Sequence, residues 1–195
     1  MLDEKQGQIL VALARNAIAA QLGLPQTRVD ASGDWLKEPS ATFVTLTRHG
    51  QLRGCIGTLE AHRTLLEDVR ANAVAAAFRD LRFSPLTEDE FAETHVEVSL
   101  LSAAQPLTFS DEADALRQLR PGVDGIILEH GRQRSTFLPQ VWEQLPLPHQ
   151  FMAHLKMKAG LPADFWSEDI RLARYTVTKW KEEKASAAQA TQLTN

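Results

Sequence analysis

The sequence predicts a fold that mixes helices with hairpin-connected strands, and three observations lead to this prediction. Apolar residues recur at helical spacing in two long segments, Asp3–Leu22 and Arg63–Arg79. Strand-like segments flank two His-Gly pairs, His49-Gly50 and His130-Gly131, and each pair suits a tight hairpin turn. The second pair follows the first by 81 positions, with hairpin, helices and strand in the same order. We therefore expect an internal duplication.

The two halves of the expected duplication cover about residues 41–102 and 123–181. They lie in a single predicted domain over residues 1–183. A polar tail rich in Ala, Gln and Thr is predicted to follow it at residues 184–195. The other predicted elements, in chain order, are strands at Ala41–Thr47 and Gln51–Leu59, a short helix at Thr87–Phe91, a strand at Thr94–Ser102, a helix at Asp111–Leu119, a hairpin at Gly125–Phe137, a helix at Leu147–Ala159 and a last strand at Ile170–Lys181.

Charge and composition restrict the class of protein. There are 21 Lys and Arg residues against 25 Asp and Glu residues, which gives a formal net charge of −4. Nucleic-acid binders usually carry a basic field, so this balance argues against a nucleic-acid partner. The N-terminal residues lack a signal-peptide pattern, and the longest run of small apolar residues, Ala73–Phe78, is too short to cross a bilayer. With Cys55 as its single cysteine, we predict a cytoplasmic protein with no membrane partner.

The segment around Cys55 contains the most suggestive chemistry of the sequence. Alternate residues of a strand share a face, so Arg53, Cys55 and Gly57 are expected to point the same way. A guanidinium close to a thiol favours the thiolate. Gly54 and Gly57 lack side chains, which can let a ligand approach the backbone. This interpretation makes Cys55 a nucleophile or redox thiol, with Arg53 as its cation.

The alternative interpretation makes Cys55 a packing residue. If His49-Gly50 forms a two-residue turn, Cys55 pairs with Val44 and Arg53 pairs with Leu46. Those neighbours suggest an apolar face, and free cysteines are among the most buried residues. The sequence leaves both interpretations open.

Other residues offer weaker signals. Asp80 lies between arginines in the segment Arg79–Phe83, which suggests either an ion-pair network or an anion-binding role. Thr87 and Glu90 have the spacing of a capping box, so we interpret the acidic run there as a helix cap rather than a catalytic pair. No spacing typical of a metal site or a phosphate loop occurs, and we predict no metal and no cofactor.

Several segments, taken in order, resemble the AMMECR domain family, which in prokaryotes is also called AmmeMemoRadiSam system protein A. The resemblance covers nearly the whole chain except the last dozen residues, although Leu81 stands where the family commonly has a proline. The segments that carry it are FVTL at Phe43–Leu46, LRGCIG at Leu52–Gly57, RDLRFSPL at Arg79–Leu86, VEVSLLS at Val96–Ser102, VDGIILEHG at Val123–Gly131, TFLPQVW at Thr136–Trp142 and KAGLPADFW at Lys158–Trp166.

The resemblance implies a fold, partners and site residues. It implies an α+β fold with two strand-helix-strand repeats around one barrel-like, mainly antiparallel sheet. It implies Memo-type and radical SAM proteins as partners, without giving a reaction or a small-molecule substrate. The residues that it marks as catalytic or cleft residues are Leu52, Arg53, Gly54, Cys55, Ile56, Gly57, Asp80, Arg82, Phe83 and Pro85.

Two functional hypotheses follow from the sequence. In the first, the chain is an enzyme or an enzyme component whose cleft lies at LRGCIG. In the second, it is a non-catalytic adaptor that docks partner proteins, and Cys55 is structural.

Overall fold

The computed structural model describes residues 2–182, so the predicted tail at residues 184–195 lies outside the described residues. No helix among the described residues is long and apolar enough to cross a membrane. The elements in chain order are α1 (Glu4–Gln21), a 3₁₀ helix (Asp34–Lys37), β1 (Pro39–Arg48), β2 (Gln51–Gly57), β3 (Arg63–Thr64), α2 (Leu65–Phe78), α3 (Glu88–Ala92), β4 (Thr94–Leu101), β5 (Gln105–Pro106), α4 (Glu112–Gln118), β6 (Gly125–His130), β7 (Gln133–Phe137), a second 3₁₀ helix (Pro139–Glu143), α5 (Pro148–Lys158), β8 (Arg171–Tyr175) and β9 (Val177–Lys181).

The chain divides into two compact units. Among the described residues, the first contains residues 2–100 together with residues 179–182, and the second contains Leu101–Thr178. In the first unit, α1 and α2 pack together, and their apolar faces share one core with the sheet. That core includes the fully buried Leu10 and Val44 as well as Trp180 from the last strand.

The sheet of the first unit has five strands. Its order is β2-β1-β4-β9, and the short β3 pairs with β1. The hairpin of β1 and β2 turns at His49 and Gly50, whose φ angles are 51° and 77°. Positive φ at both central residues is the geometry of a type I′ turn, which matches the twist of an antiparallel pair. Because β2 lies at the end of the order, it is an edge strand.

The second unit contains a four-stranded sheet in the order β5-β8-β6-β7. The pairings of β5 with β8, β8 with β6 and β6 with β7 are antiparallel. Phe151 of α5 stacks on Trp142 with ring centroids 3.8 Å apart, in a core that Ile126 and Leu128 also enter. Lys156 of α5 is almost fully buried and donates a hydrogen bond to Glu112. This pair joins α5 to α4.

The α+β class is confirmed, but the single barrel-like sheet is wrong. Within residues 2–182, the hydrogen-bonded strands form two sheets, and neither closes into a barrel. The predicted last strand, Ile170–Lys181, is also two strands: β8 lies in one sheet and β9 in the other. Between them, Thr176 exchanges hydrogen bonds with Ser102, which interrupts the run. The internal duplication stays a prediction.

Candidate functional site

A β-bulge sets the geometry of the LRGCIG segment. Gly54 lies opposite Leu46, but the next pair along the hairpin joins Leu52 to Thr47, which leaves Arg53 as the extra residue. The predicted pairs, Cys55 with Val44 and Arg53 with Leu46, are therefore wrong.

With the extra residue in β2, Cys55 lies opposite Thr45 instead. Its side chain is half-buried, and its Sγ lies 3.4 Å from Thr45 Oγ1. The cysteine thus has a hydroxyl neighbour, whereas the packing interpretation expected Val44 there.

The backbone of Cys55 is held from the outer edge of the sheet by an ion pair. Its N–H donates to Asp80 Oδ2 over 2.9 Å, and its carbonyl accepts from Arg82 Nη2 over 3.4 Å. The Arg82 guanidinium in turn donates to both oxygens of Asp80, over 2.9 and 2.7 Å. We call this arrangement of Cys55, Asp80 and Arg82 the Cys55 clasp. It brings together the LRGCIG and RDLRFSPL segments of the sequence.

The electrostatics of the Cys55 clasp fix the charges of its ion pair. Hydrogen bonds from Arg82 hold the pKa of Asp80 well below its usual range, although burial of the carboxylate opposes the shift. The hydrogen bond to Asp80 raises the pKa of Arg82. The Asp80 side chain is 5% exposed, whereas that of Arg82 is 57% exposed. One face of the guanidinium therefore stays open to a ligand.

The Arg53 guanidinium contacts Glu90 and Ser84, and not the Cys55 thiol that the sequence led us to expect. Arg53 is buried and donates to both Glu90 oxygens, over 3.2 and 2.8 Å, and to the Ser84 carbonyl over 2.9 Å. The Phe83 ring lies 5.7 Å from its guanidinium carbon. Its Nη1 is buried and has no hydrogen-bond partner within residues 2–182. Arg82, and not Arg53, therefore makes the guanidinium contact with Cys55.

The remaining residues of the segment pack against protein atoms. A Cβ on Gly54 would lie 2.1 Å from the Ala76 carbonyl oxygen of α2, and one on Gly57 would lie 2.2 Å from the Phe43 ring. Ile56 packs against the core of the first unit. The space beside both glycines is thus filled by the protein itself, and a ligand approach at these positions stays a prediction.

Glu90 is the residue whose importance the sequence understated. Its capping box with Thr87 is confirmed. Its carboxylate is not only a solvated cap, however, because it also pairs with Arg53 and with Arg48. No local pattern could indicate this, since Arg53 precedes Glu90 by 37 positions.

The Glu90 ion pairs predict a pH-dependent stability. Hydrogen bonds from Arg53 lower the pKa of Glu90 from 4.5 to about 2. A lowered pKa in the folded state stabilises the protein above pH 4.5, and this contribution is lost as the pH falls toward 2. We expect the Glu90→Gln variant to have a lower free energy of unfolding than the wild type at pH 7. As the pH falls from 4.5 toward 2, the variant should lose less stability than the wild type. Urea unfolding at a series of pH values measures both differences. Glu88→Gln, an exposed acid of the same helix, is the control. Equal slopes for Glu90→Gln and the wild type would contradict the assignment.

Within residues 2–182, no three side chains of His, Cys, Asp or Glu come together in a group that could hold a metal ion.

Fold and site together define an α+β protein of two sheets whose edge strand carries a clasped cysteine. The chain belongs to the AMMECR1 family, which it matches over residues 11–180. A protein of Methanothermobacter thermautotrophicus is 36% identical over 190 residues, which cover 93% of this chain and 97% of that protein. Protein MJ0810 of Methanocaldococcus jannaschii is 32% identical, with 93% and 92% covered.

A solved structure is similar across the same extent. The crystal structure of the uncharacterised protein PH0010 from Pyrococcus horikoshii has a TM-score of 0.78 to this chain and 32% sequence identity. The similarity covers 93% of this chain and 94% of that one. These relatives share the family and the fold, and their names give no reaction.

Proposed function

We propose that this chain is a cytoplasmic component that acts with Memo-type and radical SAM partner proteins, and that the Cys55 clasp is its functional site. The observation that carries the proposal is the clasp itself. Asp80 and Arg82 together engage both the N–H and the carbonyl of the only cysteine. An edge strand needs some cover for its free backbone groups. Here the cover is the Asp80–Arg82 ion pair, next to a half-buried thiol. This arrangement supports a chemical role for the Cys55 clasp in addition to a structural one.

The arrangement supports a defined division of roles. Cys55 supplies the thiol, as a nucleophile or a redox group. Thr45 Oγ1, 3.4 Å away, can exchange a hydrogen bond with the sulfur. Arg82 presents its exposed guanidinium face, and a cation in this position orients an anionic group of a small molecule toward the thiol. Asp80 is the positioning residue, because it holds Arg82 and the strand together.

The cation beside the thiol can be tested with two alkylating reagents of similar size. Iodoacetate is an anion and iodoacetamide is neutral, so their rate ratio at Cys55 reports local charge, while solvent access and thiolate fraction largely cancel. At low ionic strength we expect Arg82→Gln to lower this ratio about two- to fivefold, because a nearby positive charge is lost. Arg82→Lys is expected to keep most of the ratio, and Arg132→Gln, at an exposed position elsewhere, to leave it unchanged. An unchanged ratio of the two alkylation rates in the Arg82→Gln variant would contradict the proposed role of Arg82.

The partner part of the proposal needs a separate measurement. The tagged chain is co-expressed with the Memo-type and radical SAM proteins of its own organism and purified. Recovery of at least one of them in stoichiometric amount is expected, and recovery of neither would overturn the partner assignment. In cells, Cys55→Ser and Arg82→Gln should each impair the pathway that the partners serve. Normal output from both variants would overturn the assignment of the site.

The adaptor hypothesis stays as a second candidate because of Leu81. This side chain is fully exposed, yet its two neighbours, Asp80 and Arg82, are fixed by their ion pair. A large apolar side chain that is exposed to solvent on an ordered segment, as Leu81 is, can dock against a partner protein. If the chain is only an adaptor, Leu81→Ser weakens recovery of the partners, while Cys55→Ser leaves both recovery and pathway output unchanged.

A further inference from the structure

A groove on the helical side of the first unit has a charge opposite to that of the whole chain. Its volume is ≈ 580 Å³, and it is lined by Ala17 of α1 and by residues of β3, α2 and the residue after α2. The apolar lining residues are Ala17, Ala71 and Val74. The charged ones are three arginines and a single carboxylate, namely Arg63, Arg70, Arg79 and Glu67.

Arg63 is held in place from inside the protein. Its guanidinium donates to Asp68 Oδ1 over 2.7 and 3.2 Å. The Asp68 side chain is 1% exposed, and its other oxygen accepts bonds from Thr42, Thr58 and Asn72. Asp68 is thus shared among several donors and is turned away from solvent. Arg63 therefore presents a positioned cation to the groove.

Arg70 and Arg79 are exposed, and neither forms a side-chain hydrogen bond or ion pair with any other residue in the range 2–182. The single acid of the lining, Glu67, offsets only one of these two positive charges, and it accepts hydrogen bonds from the Thr64 N–H and hydroxyl, over 3.1 and 2.8 Å. Those bonds lower the pKa of Glu67, so this carboxylate is ionised as the cap of α2. The groove keeps a positive surplus in a chain whose formal net charge is −4.

The arginines are spread along the groove. Arg63 lies in β3, Arg70 lies seven positions later within α2, and Arg79 follows the last residue of α2. The 14 residues of α2 span about 20 Å at helical rise, so Arg63 and Arg79 lie near opposite ends of this helix. A ligand that contacts all three arginines therefore carries several anionic groups along its length, together with apolar groups for Ala17, Ala71 and Val74.

We propose that this groove docks an acidic, amphipathic helical segment of a partner protein. Carboxylates distributed along one face of such a helix can pair with the arginines distributed along α2, and small apolar side chains between them meet the apolar lining. This surface is separate from the Cys55 clasp. The proposal does not depend on any chemistry at that thiol, and it can hold whether or not Cys55 is functional.

The test uses a fluorescein-labelled helical peptide of about four turns, with glutamates seven positions apart and leucines between them. The matched control peptide carries glutamine in place of each glutamate. Binding to the full chain is followed by fluorescence anisotropy. We expect the glutamate peptide to bind and the glutamine peptide to bind at least about tenfold more weakly. Added salt should weaken binding of the glutamate peptide by about tenfold or more. The double variant Arg70→Glu with Arg79→Glu should weaken it to the same extent. Arg132→Glu, the same charge change at an exposed site outside the groove, should have little effect.

Several outcomes would overturn the proposal. Equal binding of both peptides, or an unchanged affinity in the double variant, would show that the groove does not recognise carboxylates. Tighter binding of a single-stranded RNA of similar length would assign the groove to nucleic acid. Self-association that the double variant abolishes in sedimentation velocity would assign it to a second copy. Circular dichroism of the double variant confirms its fold, and substitution at these two exposed positions is expected to leave it intact.

Discussion

Replacement of Asp68 by alanine is expected to destabilise the protein by about 3–5 kcal/mol, because it removes the shared acceptor of several buried donors and the partner of the half-exposed Arg63. Asp68 accepts the Thr42 N–H over 2.8 Å and the hydroxyls of Thr42 and Thr58 over 2.7 Å. These bonds tie α2 to β1 and to the residue that follows β2. Without Asp68 these donors lose their shortest hydrogen bonds, the Thr42 N–H retains only a 3.4 Å bond to Thr58 Oγ1, and Arg63 loses its anchor. The free energy of unfolding from a urea titration measures the loss.

Two further variants make this expectation precise. Asp164→Ala, which changes an exposed residue of the same type, should alter the free energy of unfolding by no more than about 0.5 kcal/mol. If Asp68→Ala does not accumulate as folded protein, Thr58→Val removes a single donor and should cost about 1 kcal/mol. An Asp68→Ala variant as stable as the Asp164→Ala control would refute the structural role of this carboxylate.

Gly54→Ala is expected to destabilise the protein by about 1–3 kcal/mol or more, although it adds only one methyl group. The new Cβ would lie 2.1 Å from the Ala76 carbonyl oxygen. That oxygen belongs to the backbone of α2 and cannot move aside by a change of rotamer, so β2 and α2 must separate. Thermal or urea unfolding measures the effect.

Gly33→Ala provides the comparison for Gly54→Ala. A Cβ there also meets a neighbour at 2.2 Å, but the neighbour is the partly buried side chain of Trp35, which can shift more readily than a helix backbone. The loss of stability should therefore be clearly smaller at Gly33 than at Gly54. Similar losses at the two positions would contradict the explanation by backbone contact. If the difference is found, the close packing of β2 against α2 explains why position 54 of the LRGCIG segment is a glycine.

The parts of the fold that local chemistry determines were predictable from the sequence. The hairpin turn at His49-Gly50 needs positive φ at both residues, and such turns have a recognisable pattern. The capping box of Thr87 and Glu90 depends on two residues three positions apart. The α+β class came from the resemblance to the family and is confirmed.

The parts that depend on distant residues were not predictable. The bulge at Arg53 changes the register of β2, and no residue type marks it, so the predicted partners of Cys55 were wrong by one position. The single barrel-like sheet was wrong because strand pairing between distant segments leaves no periodic signal. In the last segment, the change of sheet at Thr176 falls inside a continuous strand-like run.

The candidate site shows the same division. Asp80 and Arg82 were connected with Cys55 only by the family resemblance, and the hydrogen bonds that they form with Cys55 span 25 and 27 positions. Asp68 received no functional or structural role from the sequence, because an acid in the first turn of a helix normally faces solvent. Its burial depends on the donors that Thr42 and Thr58 bring to it.

The position of β9 has a consequence for the order of events during synthesis. Its Trp180 enters the core that α1 begins, and its Lys181 carbonyl accepts a hydrogen bond from Gln8. The packing of α1 thus needs residues that are synthesised about 173 positions later. A nascent chain that stops before Lys179 should leave Gly7 and its neighbours on α1 without the indole that covers them. The N-terminal unit therefore completes its folding only after the residues of the second unit have left the ribosome.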